Sequence, residues 1–268
     1  MRYLLITHIP FQKTVDGDYI VDSLWARDLE GMVSSFGQIR VVAPEIEAGK
    51  KLKTWGPTST TIKSGSGVDF VAIATLSSRF DFWKWTLIKK RLKKEVEWAD
   101  CVQTSNFFPP YERLSLAHDY AVKQGKKTVF VVGEDFYDML GWEWVRTSSD
   151  SFTRWRRERT INRLNRRTEK SASSASLTLL HTPAAVSRYR LCAQNSFAIR
   201  QPEHDLEDVI SGEMMEAKCA TIANGSPLVV SAACRHKALK GLDFLIRAIA
   251  LLAQTGIYVE SKIYGEGE

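Results

Sequence analysis

Along the 268-residue chain, short runs of consecutive apolar residues alternate with longer stretches in which apolar residues recur every third or fourth position. The first run, residues 3–7, suits a strand buried on both faces and leads into a loop containing Asp16, Gly17 and Asp18. From Tyr19 onward Val21, Leu24, Trp25, Leu29, Met32 and Val33 share one helical face, and Gly37 stands where that helix should stop. Residues 39–43 read as the next strand, closed by Pro44. Strand, loop, helix and strand make a βαβ unit, whose crossover leaves the two strands parallel. The alternation continues with strands at 68–75, 101–104, 128–132, 177–180 and 197–200, and helices at 83–98, 111–123, 151–170 and 183–191. The pattern predicts the α/β class, with a parallel sheet covered by helices on both faces in a Rossmann-like domain.

Between residues 201 and 226 the periodicity weakens, and Pro202, Gly212 and Gly225 punctuate a polar stretch that reads as a linker. The pattern then restarts with a strand at 228–233, a helix whose Leu242, Leu245, Ile246 and Ile249 share a face, and a strand at 258–264. The expected organisation is one domain over residues 1–222 and the beginning of a second Rossmann-like domain over 223–268. So short a second segment falls below the ~50 residues that a domain with its own core usually needs.

Composition changes this picture little. At 44% hydrophobic and 25% charged residues the chain is globular in character, and no stretch is apolar for the ~18 residues of a membrane-spanning helix. Residues 1–6 are too short an apolar run for the core of a signal peptide. Cys101, Cys192, Cys219 and Cys234 lie far apart, without metal-binding or disulfide spacing, which fits a reducing cytoplasm. Thirty-seven Lys and Arg against 31 Asp and Glu leave a net charge of +6, pointing to anionic partners without choosing among them.

The candidate chemistry lies in the second segment. A loop leaving a strand and entering a helix offers unpaired backbone N–H groups at the positive end of the helix dipole, and here that loop carries Arg235 and Lys240. The Arg fork and the Lys point charge together suit a diphosphate and the charge that builds up as a nucleoside diphosphate departs. Cys234-Arg235, Lys240-Gly241, the helix segment Phe244-Leu245-Ile246-Arg247-Ala248 and the turn Gly265-Glu266-Gly267 follow one another at fixed spacing. In that order residues 229–268 resemble the opening of the nucleotide-sugar domain of family-4-like glycosyltransferases of GT-B fold. Cys234 stands where that family usually has Gly.

The resemblance implies a hexosyltransferase that takes a sugar from a nucleoside diphosphate to a polysaccharide, glycolipid or similar acceptor. It implies retention of anomeric configuration, with no metal and no cofactor, the cations at the diphosphate replacing a metal. Arg235 and Lys240 take the catalytic charge-stabilising role, and Gly241, Gly265, Glu266 and Gly267 line the donor. The first domain resembles the family's acceptor side more loosely. Gly17 and Asp18 stand where a Gly pair often faces the donor phosphates, and Glu134 and Asp135 where a polar pair faces the acceptor. The family continues for over a hundred residues further, through a pair of donor-binding acids, so the resemblance also implies C-terminal truncation.

Two basic stretches widen the choice of partner. Residues 83–98 set Trp85, Ile88, Leu92 and Val96 on one face beside six Lys and Arg, as in a helix lying on an anionic membrane or in one packed on a sheet. Residues 151–170 carry seven arginines around Trp155, Ile161 and Leu164, which suits acidic lipid or nucleic acid, although no nucleic-acid-binding signature accompanies them. The expected location is the cytoplasm, at the inner face of the plasma membrane. The alternatives to an active transferase are an inactive binding module of the same origin and a basic nucleic-acid-binding protein.

Overall fold

The computed structural model describes residues 1–47, 59–76, 82–133, 144–199, 209–234, 236 and 240–265. The chain divides into two compact units, Met1–Gln201 and Pro202–Glu268. The first contains β1 (Arg2–Ile6), β2 (Gln12–Lys13), β3 (Tyr19–Asp22), α1 (Ser23–Phe36), β4 (Gln38–Pro44), β5 (Ser59–Ile62), β6 (Val68–Ile73), α2 (Phe82–Trp98), β7 (Cys101–Ser105), α3 (Leu116–Lys123), β8 (Lys127–Val132), α4 (Ser151–Ser174), β9 (Leu177–Leu180), α5 (Pro183–Tyr189) and β10 (Ser196–Ala198).

Seven of these strands form one parallel sheet in the order β10-β9-β8-β7-β1-β4-β6. From β1 the chain winds outward through β4 and β6, then returns to the other side of β1 and winds outward through β7 to β10. This is the doubly wound Rossmann arrangement, with its switch point between β1 and β7. Both faces of the sheet are covered, which explains the unbroken apolar runs. Along β1, Leu4 and Ile6 pack with Trp85, Ile88, Leu92 and Val96 of α2, while Tyr3 and Leu5 pack with Trp25, Ala26 and Leu29 of α1. The apolar face of α2 is therefore core, with Leu92 and Val96 fully buried, and is not free to lie on a membrane.

The helix expected from Tyr19 begins later. Residues 19–22 form β3, which pairs antiparallel with β2 and β5 in a small second sheet. Asp22 caps α1, its carboxylate accepting from the backbone N–H of Leu24 at 3.0 Å. Tyr19 and Val21 are buried, so their apolar character reports strand pairing over the core as well as it would a helix.

His118 of α3 is 1% exposed; its Nε2 lies 3.1 Å from the Ser174 hydroxyl and its ring edge-on to Phe130. Burial holds its pKa below the ordinary 6.5, as it does for His8 and His181. The unfolded chain takes up these protons first, so the stability of neutral burial is present above about pH 6.5 and lost as pH falls below it. Melting temperature should drop on going from pH 7 towards pH 5.5, and His118→Gln should flatten part of that drop; an unchanged slope would show that His118 does not titrate differently on folding.

The second unit contains α6 (Gly212–Ala223), β11 (Leu228–Ala233), α7 (Leu242–Gln254) and β12 (Val259–Tyr264). Helix α6 lies in the stretch that read as a linker; Ser211 caps it through Met214 N–H at 3.2 Å. Its apolar residues Met214, Met215 and Ile222 are exposed, so no buried stripe marked it in the sequence. Strands β11 and β12 are parallel and in register from Leu228↔Val259 to Ala233↔Tyr264, completing a βαβ unit with α7. None of the unit's described residues is buried.

Candidate functional site

In open parallel sheets ligands bind beyond the carboxyl ends of the strands, which in each unit is the edge where the strand exits and helix starts meet. In the second unit β11 ends at Ala233, and Cys234 donates its N–H to the Tyr264 carbonyl at 3.0 Å, drawing the two exit loops together. Gly265 follows with φ of 133°. A Cβ there would overlap the carbonyl oxygen of Cys234 and lie 3.5 Å from Nε2 of His236. The backbone at this edge is thus packed so closely that glycine alone fits. His236 Nε2 is buried and has no hydrogen-bond partner among the described residues.

The same edge receives the start of α7. Lys240 is exposed, and Gly241 takes the left-handed conformation (φ 67°, ψ 24°), accepting from the N–H groups of Phe244 and Leu245 at 3.0 and 3.2 Å. No side chain among the described residues caps this helix, so N–H groups of its first turn are left to solvent or to an anion. Asp243 in that turn opposes an anion, but Arg247 lies 3.8 Å away and offsets its charge. Cys234 Sγ, His236, Lys240, Gly241 and Gly265 therefore belong to loops that converge on one edge. Arg235, Glu266 and Gly267 lie outside the described residues.

In the first unit Gly17 and Asp18 occupy the tip of the β2–β3 hairpin. Thr14 closes the turn by accepting from Gly17 N–H at 3.1 Å and donating its own N–H to the Asp18 carbonyl at 2.9 Å. The Asp18 carboxylate accepts from Lys63 Nζ and from Ser64 N–H, each at 2.9 Å, and these bonds lower its pKa. These contacts hold the hairpin to the segment after β5. Glu134 and Asp135 fall outside the described residues.

The switch point brings together residues that sequence reasoning did not single out. His8 follows β1, and its ring centroid is 5.9 Å from Phe107 and 6.1 Å from Tyr111, both in the segment after β7. Asn106, at the end of β7, accepts from Gly133 N–H at 3.2 Å and so ties the exits of β7 and β8. Next to Tyr111, Glu112 is 7% exposed; Arg163 of α4 approaches its Oε1 to 3.7 Å, and Oε2 has no hydrogen-bond partner among the described residues. Arg167, one turn along α4, pairs with Asp119 at 3.2 Å. The available signal was positional: a His directly after the first apolar run.

Among the described residues no helix is long and apolar enough to cross a membrane. No family model matches the chain, and no curated protein does. Solved structures with a similar course include Anabaena Alr3699/HepE in complex with UDP and glucose, 13% identical with a TM-score of 0.48 over 98% of this chain and 69% of that one. UGT2 of Phytolacca americana, complexed with UDP-2-fluoro-glucose and pterostilbene, is 11% identical with a TM-score of 0.45, over 88% of this chain and 60% of its own. UGT73P12 of Glycyrrhiza uralensis, complexed with glycyrrhetinic acid 3-O-monoglucuronide, is 7% identical with a TM-score of 0.42, over 98% and 68%.

Proposed function

We propose that the chain is part of a glycosyltransferase of GT-B architecture, similar to family 4, that moves a hexosyl group from a nucleoside-diphosphate sugar to a polysaccharide, glycolipid or similar acceptor. In this reading residues 1–222 carry the acceptor side and residues from 223 onward open the donor domain. The observation that supports it best is the edge of β11 and β12, where the Gly265 backbone passes against Cys234 beside the uncapped start of α7 and Lys240. A diphosphate placed there meets backbone N–H groups, the helix dipole and a mobile cation.

Lys240, with Arg235, would neutralise the diphosphate as the bond from the sugar C1 to its phosphate oxygen breaks and the bond to the acceptor oxygen forms. Gly241, Gly265, Glu266 and Gly267 would line the donor, with Gly17 and Asp18 facing it and Glu134 and Asp135 on the acceptor. In this scheme cations replace a metal, and configuration is retained. A second reading is favoured by His8 at the switch point: an imidazole kept neutral by its surroundings can take the acceptor's proton, which goes with inversion. The anomer of the product separates the two.

Helix α7 is apolar on nearly every side, with Phe244, Ile246 and Leu251 exposed, as in helices that larger domains bury. This supports a donor domain completed by further sequence. A peripheral position on the cytoplasmic membrane face would use Trp83 and Leu87 of α2, exposed beside Lys84 and Lys90.

The test is calorimetric titration of UDP-, GDP- and ADP-sugars into the protein of the full reading frame. One of them should bind, and Lys240→Ala should weaken it about ten- to a hundredfold, the worth of one charge-assisted contact. Binding without transfer to any acceptor would identify an inactive binding module; no binding of any nucleotide sugar would overturn the reading.

A further inference from the structure

Helix α4 contains seven Arg and one Lys against Glu158 and Glu169, a formal charge of +6. That equals the net charge of the whole chain, so the remaining residues are formally neutral. The basic character of the protein is thus a local feature. Its buried face, Ile161, Leu164, Thr168 and Ala172, rests on the first unit, and the opposite face is in solvent. A cleft of about 670 Å³ runs along that face, and its lining includes Trp155, Arg156, Arg159, Arg163 and Arg166 together with one acid, Glu158.

At the N-terminal end of the face Phe152 and Trp155 stack 5.9 Å apart, 64% and 50% exposed, with Arg156 over the first ring and Arg159 over the second. Among the described residues no carboxylate pairs with Arg156, Arg159 or Arg166. Arg163 links the cleft to the switch point through Glu112, which adjoins Tyr111 and so the ring of His8. Arg163 is thus shared between the cleft and the neighbourhood of the switch point.

We propose that this cleft binds an acidic polysaccharide, a linear glycan bearing carboxylates at regular intervals, as the acceptor of the transfer. The inference rests on the glycosyltransferase reading for the word acceptor; the binding itself stands apart from it. Arginines 156, 159, 163 and 166 recur once per turn, about 5.4 Å, which suits one acidic sugar after another. This is wider than the ~3.4 Å axial spacing of charges on each strand of a nucleic-acid duplex. Past Trp155 the exposed face carries no large apolar group to enter a bilayer, whereas a membrane helix needs one along its length. Trp155, half exposed between Phe152 and Arg159, closes the cleft at its N-terminal end, and its ring positions the Arg159 guanidinium.

The test uses the full chain and four probes: a hexamer of a hexuronic acid, the neutral hexose hexamer of the same linkage, a single-stranded DNA of equal charge, and vesicles with one-third anionic lipid. The acidic hexamer should bind, more weakly as salt rises, and the neutral hexamer should not. Replacing Arg156, Arg159 and Arg166 together by Ala should weaken binding at least tenfold without changing the circular dichroism or melting temperature. Trp155→Ala should weaken it several-fold, and the triple Lys variant should keep most of it. Equal or tighter binding of DNA or vesicles, or binding indifferent to the triple Ala variant, would overturn the proposal. Nucleotide-sugar titration on the same preparation separates the two readings: acidic glycan bound with no donor bound would remove only the transferase, and the reverse would remove only this acceptor.

Discussion

Gly265→Ala is expected to abolish nucleotide-sugar binding and to destabilise the second unit, by about 2–3 kcal/mol or more. Two costs combine. At φ of 133° an L side chain is strained whatever surrounds it, and the added Cβ would overlap the Cys234 carbonyl oxygen, with the carbonyl carbon only 2.9 Å away. Because the clash is with backbone, no rotamer change relieves it; the exit loops of β11 and β12 must separate. That breaks the Cys234 N–H bond to Tyr264 and moves both walls of the proposed phosphate cradle. The control is Gly256→Ala, also at positive φ (78°) but with open space around its Cβ, which should cost only the ~1–2 kcal/mol of a left-handed Ala and leave binding intact. Calorimetry and thermal melting of both variants decide the matter: undiminished donor binding by Gly265→Ala would place the ligand elsewhere.

Much of this fold was legible because its strands are buried on both faces. Residues 39–43 and 128–132 are nearly continuous apolar runs, and a strand with water on one side would have alternated. The helices were legible where one face meets the sheet, as with Trp85, Ile88, Leu92 and Val96. Where two structures satisfy the same apolar pattern, the sequence did not separate them. Tyr19 and Val21 are two apart, as a strand requires, yet they also continue the helical spacing of Leu24 and Trp25. Helix α6 buries nothing among the described residues, so its Ser211 cap was the one signal present, and Gly212 beside it argued for a loop. The basic face of α2 lies opposite a core face, and charge on one side cannot tell a sheet from a membrane on the other.

The site was legible in part for a similar reason. The Lys240-Gly241 and Gly265 positions carry local backbone demands, a left-handed residue before a helix and a contact that excludes a Cβ, and such demands restrict the residue type at a fixed place in the sequence. The switch point makes no local demand. His8, Phe107, Tyr111 and Arg163 are far apart in sequence, and only the order of strands brings them to one edge. The hairpin at Gly17 and Asp18 lies between the two cases: its glycine fits a local loop pattern, whereas the Lys63 and Ser64 bonds that fasten Asp18 come from far along the chain.

Replacing Arg40 by Met should destabilise the first unit by about 3–5 kcal/mol, the cost of leaving a buried charge without its partner. Arg40 interrupts the apolar run of β4 and points to the α2 face, where its Nη1 lies 2.9 Å from Oε2 of Glu95, a side chain 4% exposed. Its guanidinium also stacks 3.9 Å above the Trp98 ring. In its absence Glu95 keeps, among the described residues, Arg91 alone, 3.5 Å away and 45% exposed. The opposite deletion, Glu95→Gln, should cost less, about 1–2 kcal/mol, because Arg40 is 23% exposed and has Asp69 at 3.9 Å. Replacing both, Arg40→Met with Glu95→Gln, removes the buried charge together with its partner and should be milder than Arg40→Met alone. Urea unfolding of the four proteins measures this as a coupling energy, expected near the upper end of the ~0.5–3 kcal/mol seen for contacting pairs. The strand that Arg40 fastens to α2 adjoins β1, so the same pair steadies the wall from which His8 reaches the switch point. If Arg40→Met cost less than about 1 kcal/mol, the range of exposed ion pairs, Glu95 would have to be reached by water, and α2 would be held to the sheet by its apolar face alone.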